Sequence, residues 1–189
     1  MRLPKRNIIT NKKNINKLIK YEQNNNRFKP NGLWYSCYNE WYKYITNEDM
    51  KYKQNKYIHR IVIFRNKLTD LSNPDPNKIL VINSETDIKK FTNKYKLKNG
   101  KQTIEKAPHM PKLILDSTSI NWIRVAKDFG GIEFCPYINV DFGSKKTIFI
   151  YLWYKSIDIA SGCIWNLDNI LNKTQIIYVK NKTSYVKYP

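Results

Sequence analysis

Residues 116–137, DSTSINWIRVAKDFGGIEFCPY, change from a helical to an extended pattern at two adjacent glycines. Apolar residues fall at helical spacing from Trp122 to Phe129, and Ser119 is suited to the N-cap position. Glycine is a poor helix former, so the pair at 130–131 is expected to end the helix. The segment therefore predicts a helix followed directly by a strand.

Glu133 is the one carboxylate in that predicted strand, which is otherwise apolar over residues 132–135. It comes directly after two residues whose lack of a side chain lets backbone or ligand approach closely. We therefore take Glu133 as the candidate catalytic residue. The alternative is that Glu133 faces solvent from an edge strand in ordinary alternation.

The composition predicts one folded domain over residues 1–189. Apolar residues make up 41% and aromatic residues 14% of the chain, which is enough to build a core. The basic segments 1–28 and 180–189 are the candidates for mobility. No apolar run reaches the length of a membrane span, and the first residues lack the apolar region of a secretory signal. We expect a soluble intracellular protein of the cytoplasm or nucleus.

The three cysteines, Cys37, Cys135 and Cys163, are odd in number and far apart, without CxxC spacing. This pattern indicates neither a disulfide framework nor a zinc site, so reduced thiols are expected. Only two histidines are present, which leaves few soft ligands, and no metal is expected. One of them, His59, falls inside a predicted strand and is interpreted as structural.

The net charge is +19, from 34 Lys and Arg against 15 Asp and Glu. Such a charge attracts polyanions, because phosphate contacts release counterions. DNA or RNA is therefore a candidate partner, with the basic loop 96–112 and the segment 12–20 as leading contacts. The alternative is a merely solvated basic surface, since AT-rich coding also enriches Lys and Asn.

The remaining pattern mixes strands and helices without regular alternation, which favours an α+β fold over a doubly wound sheet. Ser84 and Asp87 resemble a capping box at the start of one helix. Small residues at 161–163 lie between apolar ones and predict close backbone packing. Strands are predicted at residues 6–10, 33–37, 57–64, 78–82, 132–135, 145–155 and 175–179, and helices at 39–45, 84–95 and 120–129.

Three segments carry a family resemblance: KPNGLWYS at 29–36, INWIRVAKDFGGIEFCPY at 120–137 and YKSIDIASGCIWN at 154–166. Together they resemble uncharacterised phage, bacterial and large-virus proteins that are similar to ADP-ribosyltransferases of the DarT, poly-ADP-ribose polymerase and toxin superfamily. The resemblance covers most of the chain after Phe28. It implies a split pair of small, mainly antiparallel sheets, with a few helices around a central cleft that holds NAD as substrate.

The resemblance also implies roles for individual residues. Glu133 matches the late-strand glutamate that binds the nicotinamide ribose and polarises the glycosidic bond. Ser36 matches the second-strand serine of the nicotinamide pocket, and Trp34 or Tyr35 would form its stacking wall. Gly32, which precedes them, belongs to the same cofactor-binding segment.

The sequence departs from the family pattern at two points. The first-strand residue that grips NAD can be only Arg6 or Thr10, in a context that matches poorly. The Glu-x-Glu pair of arginine-modifying members is absent, because position 131 is Gly, and this disfavours protein arginine as the acceptor.

Two function hypotheses follow from these observations. The first is an NAD-dependent ADP-ribosyltransferase acting on a nucleic acid or a nucleic-acid-associated protein. The second is a non-catalytic, basic nucleic-acid-binding domain. A metal-dependent nuclease ranks below both, since the chain lacks clustered Asp and Glu.

Overall fold

The computed structural model describes most of the chain. No helix among the described residues is long and apolar enough to cross a membrane. The described residues are 3–25, 27–38, 40–41, 55–97, 102–104, 113–115, 119–141, 143, 150–181 and 184–189.

Eleven strands occur in the described residues, and nine of them form one mixed sheet. The other two, β6 and β7, form a separate antiparallel pair. In chain order the strands are β1 Arg6–Thr10, β2 Leu33–Cys37, β3 Tyr57–Val62, β4 Leu68–Thr69, β5 Asp75–Val81, β6 Gln102–Ile104, β7 Leu113–Leu115, β8 Phe129–Phe134, β9 Ser161–Ile164, β10 Lys173–Asn181 and β11 Ser184–Lys187.

The strand order of the large sheet is β11-β10-β3-β1-β2-β9-β8-β5-β4. All neighbours are antiparallel except β8 with β5 and β5 with β4, which are parallel. The first strand of the chain therefore lies in the middle of the sheet, and the last lies at one edge. The predicted α+β class is confirmed, whereas the division into two sheets around a central cleft stays a prediction.

Four α-helices lie wholly within the described residues: α1 Glu85–Tyr95, α2 Trp122–Asp128, α3 Leu152–Lys155 and α4 Leu167–Ile170. Helix α1 begins as predicted, because the Ser84 side chain accepts a hydrogen bond from the Asp87 backbone N–H over 3.1 Å. This contact satisfies one of the N–H groups that a helix start leaves unpaired. A predicted helix over residues 39–45 falls mostly outside the described residues, of which 40–41 are helical.

Helix α2 begins and ends differently from the prediction. Asn121, not Ser119, is the N-cap, and its side chain accepts from the Arg124 backbone N–H over 2.9 Å. Strand β8 begins at Phe129, so the glycines lie inside the strand and do not end the helix. At Gly130 a methyl group would collide with the Pro76 carbonyl, so this glycine serves the close packing of β8.

The predicted strand over residues 145–155 is wrong for its described part. Residues 152–155 are helical, and the adjacent Trp153 and Tyr154 are both buried. β-branched and aromatic residues favour strands only where the surrounding structure accommodates a strand. Here Trp153 and Tyr154 pack into the aromatic cluster from a helical turn. Residues 144–149 lie outside the described residues.

Apolar side chains pack against both faces of the sheet. On one face helices α1, α2 and α3 supply an aromatic cluster, in which Phe91 and Trp153 have ring centroids 5.0 Å apart. Trp153 Nε1 donates to Thr92 Oγ1 over 3.0 Å, which satisfies its polar atom. The other face is packed mainly by aliphatic residues, including Ile8, Ile61 and several from helix α4. A polar side chain on either face near the sheet centre is therefore buried.

Candidate active site

A row of three residues crosses strands β2, β9 and β8 on one face of the sheet. Tyr35 of β2 is paired with Gly162 of β9, and Gly162 is paired with Glu133 of β8. Paired residues on neighbouring strands face the same side of a sheet. Gly162 has no side chain, and a methyl group there would collide with the Tyr35 ring. The ring therefore lies over Gly162, and its hydroxyl donates a hydrogen bond to Glu133 Oε2 over 2.6 Å.

Arg6 of strand β1 reaches the same carboxylate. Its Nε donates to Glu133 Oε2 over 2.6 Å, and its NH2 group donates to Oε1 over 2.9 Å. Both side chains are only 2% exposed. This is the two-point arrangement in which an arginine fixes both the position and the plane of a carboxylate. Residues from three strands thus form one cluster, which we call the Arg6–Tyr35–Glu133 cluster.

The protonation states of Arg6 and Tyr35 follow from burial and from their contacts with Glu133. Burial by itself would lower the pKa of Arg6, but the hydrogen bond and charge of Glu133 outweigh it, so this pKa is raised. Burial, followed by the negative charge of Glu133, raises the pKa of Tyr35 well above its usual value. Tyr35 is therefore a neutral phenol whose hydroxyl donates a hydrogen bond to the carboxylate. Three hydrogen bonds occupy the Glu133 oxygens, which leaves about one of their roughly four acceptor positions.

A disulfide between Cys37 and Cys135 adjoins the cluster and corrects the prediction of three reduced thiols. Their Cα atoms are 6.1 Å apart, although the residues are 98 positions apart in sequence. Both sulfurs and one Glu133 oxygen lie within 4.8 Å of one another. As a disulfide the sulfurs are not thiolates, the form in which cysteine binds metals. The remaining cysteine, Cys163, is buried, and burial raises the pKa of its thiol.

Ser36 and Trp34 lie on the opposite face from Glu133. Side chains alternate along a strand, so neighbours of Tyr35 cannot share its face. Ser36 is buried and its hydroxyl contacts the Asn7 carbonyl at 3.4 Å. Trp34 is half-buried, and its Nε1 donates to the Pro30 carbonyl over 3.3 Å. The structure thus brings Arg6 and Tyr35 to Glu133 and does not bring Ser36 or Trp34 there.

Gly32 lies where the chain enters strand β2. A methyl group there would come within 2.6 Å of the Cys163 sulfur and of the Ile164 carbonyl oxygen. Gly32 therefore allows close contact between the start of β2 and strand β9. The roles of Gly32, Trp34 and Ser36 in binding NAD stay predictions.

Glu133 does not face solvent from an edge strand. It is 2% exposed, and strand β8 has a neighbour on each side. The alternative considered for this residue is therefore wrong. The close backbone packing predicted for residues 161–163 is confirmed at Cys163, whose carbonyl oxygen would lie 2.8 Å from a methyl group on Gly131, and Gly162 makes room for the Tyr35 ring. The disulfide beside the cluster was missed, because neither cysteine carries a spacing that indicates its partner.

In the segment 12–20, Ile15 and Ile19 pack against the aliphatic cluster that includes Tyr35, while two of its lysines contact the end of the sheet near helix α4. Lys17 Nζ donates to the Asn172 carbonyl over 2.5 Å, and Lys20 pairs with Asp168 at 3.9 Å. Most of the basic loop 96–112 is outside the described residues. The expectation that these two segments form a nucleic-acid surface stays a prediction.

Comparison of this chain with family models, with curated proteins and with solved structures finds no match.

Proposed function

We propose that the chain is an NAD-dependent ADP-ribosyltransferase in which Glu133 is the catalytic carboxylate. One observation carries the proposal: Arg6, Tyr35 and Glu133 contact one another although they lie on three strands and are up to 127 residues apart. All three are candidates for the NAD site on the family resemblance. Buried ionisable clusters of this kind occur often at functional sites.

The reaction replaces one bond at the ribose of NAD. The bond between ribose C1′ and the nicotinamide nitrogen breaks, and nicotinamide leaves with the electron pair. The acceptor forms a new bond to C1′ and releases a proton. Positive charge develops on the ribose as the bond breaks, and a fixed carboxylate nearby stabilises it.

Each residue of the cluster has a role in this proposal. Arg6 would hold the plane of the Glu133 carboxylate, so that no reorientation is needed during the reaction. Tyr35 would fix one carboxylate oxygen through its hydroxyl. The remaining acceptor position on Glu133 would receive a hydroxyl of the nicotinamide ribose. Because Glu133 is 2% exposed, the proposal requires that NAD binding displace side chains that cover the carboxylate.

The acceptor proposed is a nucleic acid or a nucleic-acid-associated protein. The net charge of +19 supports this class, since it attracts phosphate-rich partners. The second candidate function is a non-catalytic nucleic-acid-binding domain. The deep burial of the Arg6–Glu133 pair favours this second function, because a structural ion pair does not have to be reached by a substrate.

The test is incubation with NAD labelled on the adenylate phosphate, together with single-stranded DNA, single-stranded RNA or cell extract. Nicotinamide release and transfer of label to the acceptor are measured separately. Glu133→Gln is expected to lower turnover by about 10²–10³-fold, the usual effect of losing one strong electrostatic contact to the transition state. Tyr35→Phe keeps every charge and is expected to lower turnover less.

Glu85→Gln is the matched control, because Glu85 is 45% exposed and pairs with Lys89 on the surface of helix α1. It is expected to leave turnover unchanged. Circular dichroism at the assay temperature shows which variants are folded. Folded wild-type protein that neither binds NAD nor releases nicotinamide with any of these acceptors would refute the proposal.

A further inference from the structure

A second polar concavity lies on the face of the sheet opposite Glu133. We call it the Arg60 pocket. Its cavity volume is about 290 Å³, and it combines isoleucines, cationic and polar side chains, and two tyrosines. The lining residues are Lys5, Asn7, Ile9, Ser36, Ile58, Arg60, Ile177, Tyr178 and Tyr185.

Strand register explains why these residues share one face. Asn7 of β1 is paired with both Ser36 of β2 and Arg60 of β3, and Ile9 is paired with Ile58. Paired residues face the same side, which is the side opposite the one that Arg6 occupies. The Arg60 pocket is therefore separate from the Arg6–Tyr35–Glu133 cluster.

Within the described part of the chain, the Arg60 pocket carries positive charge without a nearby carboxylate. Arg60 Nε donates to Asn7 Oδ1 over 2.8 Å, which orients the guanidinium. A guanidinium has five N–H donors, so four remain after this bond. Among the described residues, no carboxylate oxygen lies within 4.0 Å of the Arg60 or Lys5 side-chain nitrogens. An oriented guanidinium beside an ammonium group is suited to a phosphate.

The rest of the lining suits a nucleobase. The lining isoleucines offer a flat apolar surface, and Tyr178 is 41% exposed at the rim. Exposed aromatic rings next to cationic side chains are how sheets bind the bases of single strands. The volume is at the lower end of the range for small-ligand pockets. A pocket of this size can hold the phosphate and base of one nucleotide.

We propose that the Arg60 pocket binds one nucleotide of a single-stranded nucleic acid, with Arg60 and Lys5 on the phosphate and a base against Tyr178. The site does not depend on the chemistry of Glu133, so oligonucleotide binding and NAD turnover can fail independently. Free mononucleotides and inorganic phosphate share the same anionic group, and the experiment separates them from a strand.

The probe is a fluorescently labelled oligothymidylate, titrated with the full chain by fluorescence anisotropy at several salt concentrations. Arg60→Gln is expected to weaken binding about tenfold or more, as loss of a charge-assisted hydrogen bond does. The slope of log affinity against log salt should become shallower by about 0.7, the value for one phosphate contact on a single strand. Lys5→Gln should act in the same direction, and because Lys5 is exposed it leaves the fold undisturbed.

Arg65→Gln is the matched control, since Arg65 is exposed in the turn after β3 and does not line the pocket. It should change both affinity and slope less than Arg60→Gln and Lys5→Gln do. Tyr178→Ala should weaken binding about tenfold through loss of base stacking. Equal effects of the Arg60 and Arg65 changes would overturn the proposal. So would displacement of the oligonucleotide by thymidine monophosphate or inorganic phosphate at concentrations equal to that of the strand.

Discussion

The buried pair of Arg6 and Glu133 makes a strong prediction about stability. Arg6→Met leaves the Glu133 carboxylate buried without its cation, and Glu133→Leu leaves the guanidinium buried without its anion. Each side chain is 2% exposed, so water does not reach the remaining charge without local opening. Each single change is therefore expected to lower the free energy of unfolding by about 3–5 kcal/mol.

The double variant Arg6→Met/Glu133→Leu should behave differently. It has no unpaired buried charge, and the two apolar side chains have volumes close to those they replace. What remains is the Tyr35 hydroxyl, which loses its acceptor and costs about 1–3 kcal/mol. The double variant is thus more stable than expected from the sum of the singles, with a coupling energy of at least about 3 kcal/mol.

The measurement is urea unfolding followed by circular dichroism, with the disulfide kept intact so that all variants share one covalent state. The control cycle uses Lys89→Met and Glu85→Leu in the exposed pair of helix α1. Its coupling should be far smaller than that of the Arg6–Glu133 cycle, because solvent screens an exposed ion pair. A cost below about 1 kcal/mol for Glu133→Leu would show that Arg6 and Glu133 do not form a buried pair.

Three further changes test other parts of the molecule. Reduction of the Cys37–Cys135 disulfide should lower the free energy of unfolding by about 2–4 kcal/mol, since it frees a long loop in the unfolded chain. Burial lowers the pKa of His59 below 6.5, so protons bind the unfolded chain more readily. Stability should therefore fall as pH drops below about 6.5, and His59→Gln should flatten this dependence in urea titrations. Gly162→Ala should cost about 1–3 kcal/mol or more, because its methyl group collides with the Tyr35 ring.

Each of these changes has its own control. Cys163→Ser should keep the response to reductant, because Cys163 is the free thiol, and loss of that response would contradict the disulfide assignment. His59 Nε2 contacts the Lys12 carbonyl at 2.9 Å, so in the neutral ring this nitrogen carries the hydrogen. An unchanged pH profile in His59→Gln would assign the dependence to another group. Gly143→Ala meets no atoms and should cost only about 1 kcal/mol, from its positive φ of 64°.

Helices and strands are predicted correctly from the sequence where their local residue pattern favours the same structure as their packing in the fold. Strands β1 and β2 have the predicted bounds, and helix α1 starts at its predicted cap. Residues 152–155 have a composition typical of a strand, and only their surroundings make them helical. Only the family resemblance suggests that Arg6 and Tyr35 share a site with Glu133, because no local sequence pattern relates residues up to 127 positions apart. The disulfide depends on the strand order, which no local sequence pattern indicates.

Strand register explains why Tyr35 joins Glu133 while Ser36 does not, and it relates the two proposed sites. Strand β1 contributes Arg6 to one face and Asn7 to the other, and strand β2 divides Tyr35 and Ser36 in the same way. A slip of one residue in either strand would exchange the two faces and destroy both sites together. The pair of Arg6 with Glu133 opposes such a slip, because a shifted strand would bury the guanidinium away from its carboxylate. On this argument the ion pair fixes the register on which the Arg60 pocket also depends, whether or not Glu133 performs catalysis.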